Sequence, residues 1–233
     1  MKVLALDTAT ENCSAALLIN GKLLSREMLL GRGHAEHILG MVDELLTDAG
    51  VALQALDAIA FGRGPGAFTG VRLAASVTQG LAFGAAVRVV PVSNLQALAQ
   101  RLLLQEPAAE RVLVCTNARM HEVYCGAFER SAGGLAAAVG AERVLAPEAV
   151  RLPAPWVAAA TVGVGSAFTA YPELHAALPG LALRAGLSSR AAEIAQLAAA
   201  EVRAGRTVAP AEALPVYLRD DVARPAGPGP ASH

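Results

Sequence analysis

The sequence predicts an α/β protein made of two similar lobes, each a strand meander followed by helices. Short apolar runs joined by turn residues open the chain, and a segment of helical period begins at about residue 34. A second strand-rich block then starts near residue 111 and again gives way to helices. At 233 residues, the chain is long enough for two lobes that each bury a core.

The first lobe is predicted to contain five strands. The turn residues Asn20 and Gly21 separate two of them, and the polar segment Thr8–Asn12 separates an earlier pair. Alternation and short apolar runs place these strands at Val3–Asp7, Cys13–Ile19, Lys22–Met28, Leu56–Phe61 and Val87–Val92.

Three helices are predicted in the same lobe. The segment His34–Ala49 has one apolar face and ends at Gly50, and Ser93 has the spacing of a capping box for a helix to about Leu104. Between them, Phe68–Phe83 is apolar or small around nearly its whole circumference, which predicts burial on all sides. One side would lie on the sheet, and the other needs a second helix or a partner protein.

The second lobe is predicted from strands at Arg111–Cys115, Glu122–Phe128, Ala141–Leu145 and Trp156–Val164 and a helix at Ser189–Ala204. Pro107 lies in the segment that we expect to connect the lobes. The predicted division is 1–105 for the first lobe, completed by 208–223, and 106–207 for the second. Residues 224–233 are rich in proline, glycine and alanine and are predicted to be a disordered tail.

Composition narrows the class of function. Hydrophobic residues make up 54% of the chain and charged residues 17%, yet no apolar run reaches the roughly 18 residues that a membrane helix needs. Three cysteines without CxxC spacing and an N-terminus without a signal-peptide pattern predict a cytoplasmic protein. A net charge of −1 without a basic block argues against direct binding of nucleic acid. The apolar excess instead favours a surface that another protein covers.

The segment Gly62–Arg72 (GRGPGAFTGVR) lies between a predicted strand and a helix, where backbone amides can hold an anion. It matches neither the GxGxxG nor the Walker pattern. Two interpretations remain open. Gly64 and Gly66 can line a phosphate site with Asp7 and Thr8 in the first turn, or the glycines can let the helix approach the sheet closely.

Metal ligands are also sparse. His34 and His37 are spaced i, i+3 at a helix start, but the nearest further histidines in sequence, His121 and His175, fall in the other lobe. Asn117 occupies the second-lobe turn that corresponds to Asp7, and no nucleophile–base pattern is visible. The sequence therefore predicts no metal, no cofactor and no self-sufficient active site.

Six segments, in this order, resemble the TsaB family, also called YeaZ, and together they span almost the whole chain. The segment GPGAFTGVR carries the most specific part of the resemblance. The six are Leu4–Leu17 (LALDTATENCSAAL), Gly31–Leu39 (GRGHAEHIL), Gly64–Leu81 (GPGAFTGVRLAASVTQGL), Pro91–Ala99 (PVSNLQALA), Ala118–Tyr124 (ARMHEVY) and Pro215–Ala223 (PVYLRDDVA).

The resemblance implies the acetate kinase/sugar kinase/Hsp70/actin-like fold, with two RNase H-like lobes and mixed sheets flanked by helices. It also implies a non-catalytic subunit that binds and activates the catalytic subunit TsaD through helices of the first lobe. With the ATPase TsaE, these proteins make threonylcarbamoyladenosine in tRNA, next to the anticodon. The isolated chain is expected to form a homodimer. It is expected to contact tRNA only through the complex and not to bind membranes.

The resemblance also assigns residues. The partner-docking set comprises His34, Ile38, Met41, Leu45, Phe68, Thr69, Val71, Arg72, Ala75, Ser76 and Gln79, and the vestigial nucleotide or phosphate set comprises Asp7, Thr8, Gly64 and Gly66. A charge at Ala74 or Ala75 is expected to break the pair with little loss of fold. The family usually has aspartate where this chain has Asn117, which weakens a nucleotide site there. A kinase-like or ATPase enzyme and a metallopeptidase remain alternatives.

Overall fold

The computed structural model describes residues 1–219, so the predicted tail 224–233 and the last residues of segment 208–223 lie outside the described residues. The strands are β1 Lys2–Asp7, β2 Asn12–Ile19, β3 Lys22–Leu29, β4 Ala58–Gly62, β5 Arg88–Val92, β6 Arg111–Arg119, β7 Glu122–Arg130, β8 Ala136–Ala138, β9 Arg143–Leu145, β10 Val162–Val164 and β11 Ala182–Arg184. The α-helices are α1 His34–Ala49, α2 Phe68–Ala85, α3 Asn94–Gln105, α4 Ala167–Ala170, α5 Pro172–Ala176 and α6 Ala191–Arg203.

The first sheet has the order β3-β2-β1-β4-β5. Strands β1, β2 and β3 form the antiparallel meander that the turn residues predict, and β4 and β5 run parallel to β1 after helical crossovers. Asp7 ends β1 opposite Ser14, which places its side chain at the edge where the parallel strands end.

The second sheet repeats this arrangement. Its order is β11-β10-β6-β7-β8, with β9 also paired to β7, and β6 takes the place of β1. Strands β6 and β7 are antiparallel, while β10 runs parallel to β6 and to β11. The predicted fold class is therefore confirmed: two α/β lobes with mixed sheets flanked by helices, as in the actin-like fold.

The helices tie the two lobes together. Helices α1 and α2 pack on one face of the first sheet around Leu4, Leu6 and Phe61, and α6 packs on the opposite face of the same sheet. Helix α3 packs on the second sheet around Phe128. With the predicted division into 1–105 and 106–207, each part of the chain thus supplies a helix to the sheet of the other.

The segment from 208 to 219, called here the C-terminal strap, returns from α6 to the first lobe. Val208 forms an antiparallel bridge with Val89 in β5, and Ala213 is buried in the core beneath α1 and α2. The strap then crosses toward the second lobe. Among the helices formed by residues 1–219, none is long and apolar enough to cross a membrane.

One predicted strand is much shorter than expected. The apolar segment Trp156–Val164 forms a strand only at Val162–Val164, because Ala158–Ala160 forms a short 3-10 turn. Thr161 closes that turn by donating its hydroxyl to the carbonyl of Val157, 2.9 Å away. Alanine-rich apolar runs lack the β-branched side chains that favour extended backbone, which explains the overestimate.

Candidate functional site

The glycines at the start of α2 allow two pieces of backbone to touch. A Cβ added at Gly70 would lie 2.0 Å from the carbonyl oxygen of Thr8, and one at Gly66 would lie 2.7 Å from that of Ala9. Two hydrogen bonds hold the first turn against the start of α2: Thr8 Oγ1 donates to Gly70 O at 2.6 Å, and Ala67 N donates to Ala9 O at 2.8 Å. These contacts favour the packing interpretation of the glycine-rich segment.

Asp7 is completely buried and both of its oxygens are occupied by donors of this chain. Its Oδ1 accepts from Ala9 N at 3.0 Å and from Asn94 Nδ2 at 2.9 Å, while its Oδ2 accepts from Ser189 Oγ at 2.6 Å. Asn94 Nδ2 also donates to Ser189 Oγ at 3.0 Å. This network, called here the Asp7 network, joins the end of β1 to the starts of α3 and α6.

Burial dominates the electrostatics of Asp7. Desolvation raises the pKa of its carboxyl above the usual value, although the hydrogen bonds from Ser189, Ala9 and Asn94 act in the opposite direction. The folded state therefore binds a proton on this group more readily than the unfolded chain does.

Two further glycines, Gly62 and Gly64, contact the Asp7 network directly. A Cβ at Gly62 would lie 2.6 Å from Asn94 Nδ2 and 2.9 Å from Asp7 Oδ1, and Gly64 N donates to Asn94 Oδ1 at 2.8 Å. The predicted set Asp7, Thr8, Gly64 and Gly66 thus comes together in space, and each member makes a contact within the chain.

A cleft of about 1110 Å³ separates the lobes. Thr8 and Gly66 line it, together with the start of α2, the β6–β7 turn and the end of the strap, whereas Asp7 and Gly64 do not. The carboxylate of Asp7 is therefore buried behind Asn94 and Ser189, which line the cleft, and is not itself exposed there.

The second-lobe turn is shaped by Asn117. Its Oδ1 accepts from Arg119 N at 2.8 Å and from the hydroxyl of Tyr171 at 2.9 Å. Arg119, Met120 and His121 adopt φ values of 63°, 53° and 59°, so three consecutive non-glycine residues are left-handed. Asn117 thus orders a turn that carries no glycine.

The histidines do not converge. His34 Nε2 is 2.8 Å from the carbonyl oxygen of Thr10, which ties α1 to the first turn, and His121 Nε2 lies 3.1 Å from Glu173 in the second lobe. Within residues 1–219 no group of three or more histidine, cysteine, aspartate or glutamate side chains is arranged to hold a metal ion.

The predicted docking residues divide into two groups. Phe68, Thr69, Arg72 and Ser76 are exposed on α2, and His34 and Gln79 are partly exposed. The others are buried in the core of the first lobe, namely Ile38, Met41, Leu45, Val71 and Ala75. A docking surface on these helices must therefore be formed by the first group and its exposed neighbours.

One expectation about α2 is wrong. Ala74 is 0% and Ala75 3% exposed, and both pack against the first sheet. A charge at either position would enter the core and cost fold stability, because a buried unpaired charge is unfavourable by several kcal/mol (~3–5). An apolar helix without a polar face gives no indication of which side packs on the sheet. The sequence therefore could not show that Ala74 and Ala75 face the core rather than a partner.

The exposed stripe of α2, called here the outer face, carries small and aromatic residues and one charge; it comprises Phe68, Thr69, Arg72, Ser76, Gly80, Phe83 and Gly84. Gly80 and Gly84 lie on it in helical conformation, with open space where a Cβ would be. Glycine inside a helix is less stable than alanine by about 0.5–1 kcal/mol, and nothing in residues 1–219 requires it at either position. Phe83, beside Gly84, is 82% exposed. This composition fits the close approach of another protein surface.

A cluster of Phe68, Arg72 and Tyr217 extends the outer face onto the strap. The Arg72 guanidinium carbon lies 3.6 Å from the centre of the Phe68 ring, and Arg72 Nε donates to the Tyr217 hydroxyl at 2.8 Å. Tyr217 is not among the site residues predicted from the sequence, although the segment PVYLRDDVA that contains it carries part of the resemblance.

Comparisons with known proteins agree with one another. The family model described as TsaD, tRNA N6-adenosine threonylcarbamoyltransferase, matches residues 28–226. A protein of Escherichia coli K12 named tRNA threonylcarbamoyladenosine biosynthesis protein TsaB is 40% identical over 98% of this chain and 99% of its own. Its namesake in Haemophilus influenzae is 38% identical over 95% of both chains. A solved structure described as YeaZ from Pseudomonas aeruginosa superposes with a TM-score of 0.86, at 46% identity over 93% of this chain and 99% of that one.

Proposed function

Because the chain belongs to the TsaB (YeaZ) family of tRNA threonylcarbamoyladenosine biosynthesis, we propose that it is the non-catalytic subunit that binds and activates TsaD. TsaD then transfers the threonylcarbamoyl group to the tRNA adenosine next to the anticodon. The ATPase TsaE joins the larger assembly, and tRNA meets this chain only through it. The isolated chain pairs with itself, and its work on tRNA places it in the cytoplasm.

The observation that carries this proposal is the outer face of α2. Gly80 and Gly84 make the helix less stable on its own, and neither relieves a clash within residues 1–219. Small residues spaced four apart allow a second helix to approach the backbone closely. Exposed Phe83 and Phe68 add apolar area that no other part of residues 1–219 covers. TsaD helices packed on the outer face would account for both the glycines and the exposed phenylalanines.

The non-catalytic role is supported by the Asp7 network. Three donors of the chain occupy the carboxylate, and two of them, Asn94 and Ser189, separate it from the interlobe cleft. A group held in this way positions the lobes rather than a metal ion or a phosphate.

The test is reconstitution with purified proteins. Calorimetric titration of TsaD with this chain should give a 1:1 heterodimer, and size-exclusion chromatography should show the homodimer being replaced. Modification of tRNA in vitro should require the chain. Failure of the wild-type chain to bind TsaD, or equal modification without it, would remove the proposal.

Alanine at Gly80 should have opposite effects on the free chain and on the complex. We expect the free energy of unfolding to rise by about 0.5–1 kcal/mol, because alanine is the better helix former and the Cβ has open space. The affinity for TsaD should fall, because the added methyl keeps the partner backbone away. Urea unfolding and calorimetry measure the two effects.

Gly70→Ala is the matched control on the same helix. Its Cβ would meet the carbonyl oxygen of Thr8 at 2.0 Å, so the same substitution should lower the free energy of unfolding. Unchanged affinity of the Gly80→Ala chain for TsaD would show that the partner does not approach this part of α2.

A further inference from the structure

Arg72 is the one charged residue in the eighteen of α2, whose sequence is FTGVRLAASVTQGLAFGA. It lies close to the N-terminal end of the helix, where the macrodipole disfavours a cation. The helix holds no acidic residue to offset it. The stability of the helix therefore gives no reason for an arginine at this exposed position.

The side chain is nevertheless held in one orientation. Phe68 covers one face of the guanidinium at 3.6 Å, and the Tyr217 ring lies 5.6 Å away while its hydroxyl accepts from Nε. Within residues 1–219, no acceptor bonds to the terminal nitrogens Nη1 and Nη2, and Glu36 does not pair with them. With respect to residues 1–219, the two outer donors of the fork thus remain available in a fixed geometry.

The strap fixes Tyr217 from both sides. Val216 N donates to Arg63 O at 2.8 Å on the first lobe. Two residues after Tyr217, Arg219 pairs with Glu122 and donates to Ala118 O at 3.1 Å on the second lobe. Tyr217 is therefore a positioning residue for Arg72, anchored between the two lobes.

We propose that Nη1 and Nη2 of Arg72 donate two parallel hydrogen bonds to one carboxylate of TsaD. This inference rests on the proposed function. A partner that covers the outer face removes water from the guanidinium, and an unpaired cation there is costly. A carboxylate matches the planar fork, and preorganisation lowers the entropy lost on binding.

The surroundings favour a protein carboxylate over a nucleic-acid phosphate. Along the outer face, Arg72 is followed by Ser76, Gly80 and Phe83, and α2 offers no second cation. Nucleic-acid surfaces bind through several neutralised phosphates, which need several cations together. Aromatic and arginine side chains in one cluster are instead typical of the dominant residues of protein interfaces.

The experiment compares four variants by calorimetric titration into purified TsaD at low and high salt, with circular dichroism to verify folding, and adds one charge exchange at Arg72. Arg72→Gln should weaken binding by about 30-fold or more at low salt and reduce the salt dependence, because a charge pair is lost. Arg72→Lys should weaken it by about 10-fold, since lysine keeps the charge but not the fork.

Tyr217→Phe keeps the ring and the charge, so it should lower affinity only about 3-fold and leave the salt dependence as in wild type. Arg88→Lys is the matched control, because Arg88 is an exposed arginine that bonds Thr207 on the far edge of the first sheet. It should bind TsaD as wild type does.

Each outcome separates the inference from the proposed function. If wild type binds TsaD and Arg72→Gln binds equally well, the carboxylate contact is overturned and the subunit role stands. If Arg72→Gln keeps its TsaD affinity but the assembled complex binds tRNA more weakly, the acceptor is a phosphate and the inference is again overturned. A wild-type chain that does not bind TsaD removes the proposed function itself. Recovery of Arg72→Glu by one acid-to-arginine substitution in TsaD supports the contact directly.

Discussion

A glutamate at Ser76 is expected to separate the chain from TsaD while leaving the first lobe folded. Ser76 is exposed in the middle of the outer face of α2, one turn after Arg72 and one turn before Gly80. In the free chain, the new carboxylate stays in water, and glutamate is a better helix former than serine. In the complex it would lose its water and, four residues after Arg72, it would compete with the TsaD carboxylate for the same guanidinium, at a cost of about 3–5 kcal/mol.

We expect the affinity for TsaD to fall by about 100-fold or more, since each 1.4 kcal/mol corresponds to a factor of ten. Modification of tRNA in vitro should fall with it, and the midpoint of thermal unfolding should remain that of wild type. Calorimetry, the modification assay and circular dichroism measure these quantities. The same variant tests self-association. If the homodimer forms through the outer face, the Ser76→Glu chain should elute as a monomer in size-exclusion chromatography.

Thr169→Glu provides the control for Ser76→Glu. Thr169 is an exposed hydroxyl residue on α4 in the second lobe, so the substitution adds the same charge to another helix surface. It should change neither affinity nor modification. If Ser76→Glu binds TsaD with wild-type affinity, the docking surface lies elsewhere than α2, whatever the role of the chain in the pathway.

The fold class could be predicted from the sequence because its signals are local. Turn residues such as Asn20 and Gly21 and the change from strand to helix period are read within a few neighbouring positions. The packing of α6 on the first sheet was not predictable in the same way. An alanine-rich helix fits either sheet, and only the folded chain decides which one it covers.

The candidate site was predicted less completely, because its contacts join distant positions. Asn94 and Asp7 are 87 residues apart, and Arg72 and Tyr217 are 145 apart. The sequence places Asp7 in a turn and leaves open whether it belongs to a phosphate site. It contained no signal that an amide and a hydroxyl from later helix starts would occupy the carboxylate.

Alanine at Asp7 should destabilise the protein strongly. The substitution leaves donors of Ala9, Asn94 and Ser189 without their acceptor at a fully buried position. Each unsatisfied buried donor costs about 1–3 kcal/mol, so the free energy of unfolding should fall by about 3–5 kcal/mol. Urea unfolding followed by circular dichroism measures the loss. Glu11→Ala, an exposed carboxylate after the same strand, should leave the free energy of unfolding nearly unchanged.

Asparagine at Asp7 separates the charge from the hydrogen bonds. It keeps one acceptor oxygen and does not titrate. Because burial raises the pKa of Asp7 in the folded state, the wild-type carboxyl contributes stability that is fully present below its unfolded pKa and is lost as pH rises through the folded value. The free energy of unfolding of Asp7→Asn minus that of wild type should therefore increase as pH rises across this interval.

Urea unfolding of both chains over a series of pH values tests this sign. A difference that decreases with rising pH would mean that the three hydrogen bonds outweigh burial and lower the pKa. Titration of the folded chains with ATP and Mg²⁺ tests the role. Binding by wild type that is lost in a stable Asp7→Asn chain would give Asp7 a ligand and favour the kinase-like alternative. If no such binding is found, the role of Asp7 is structural. Burying its charge costs stability, and the hydrogen bonds by which it joins the end of β1 to the starts of α3 and α6 offset that cost.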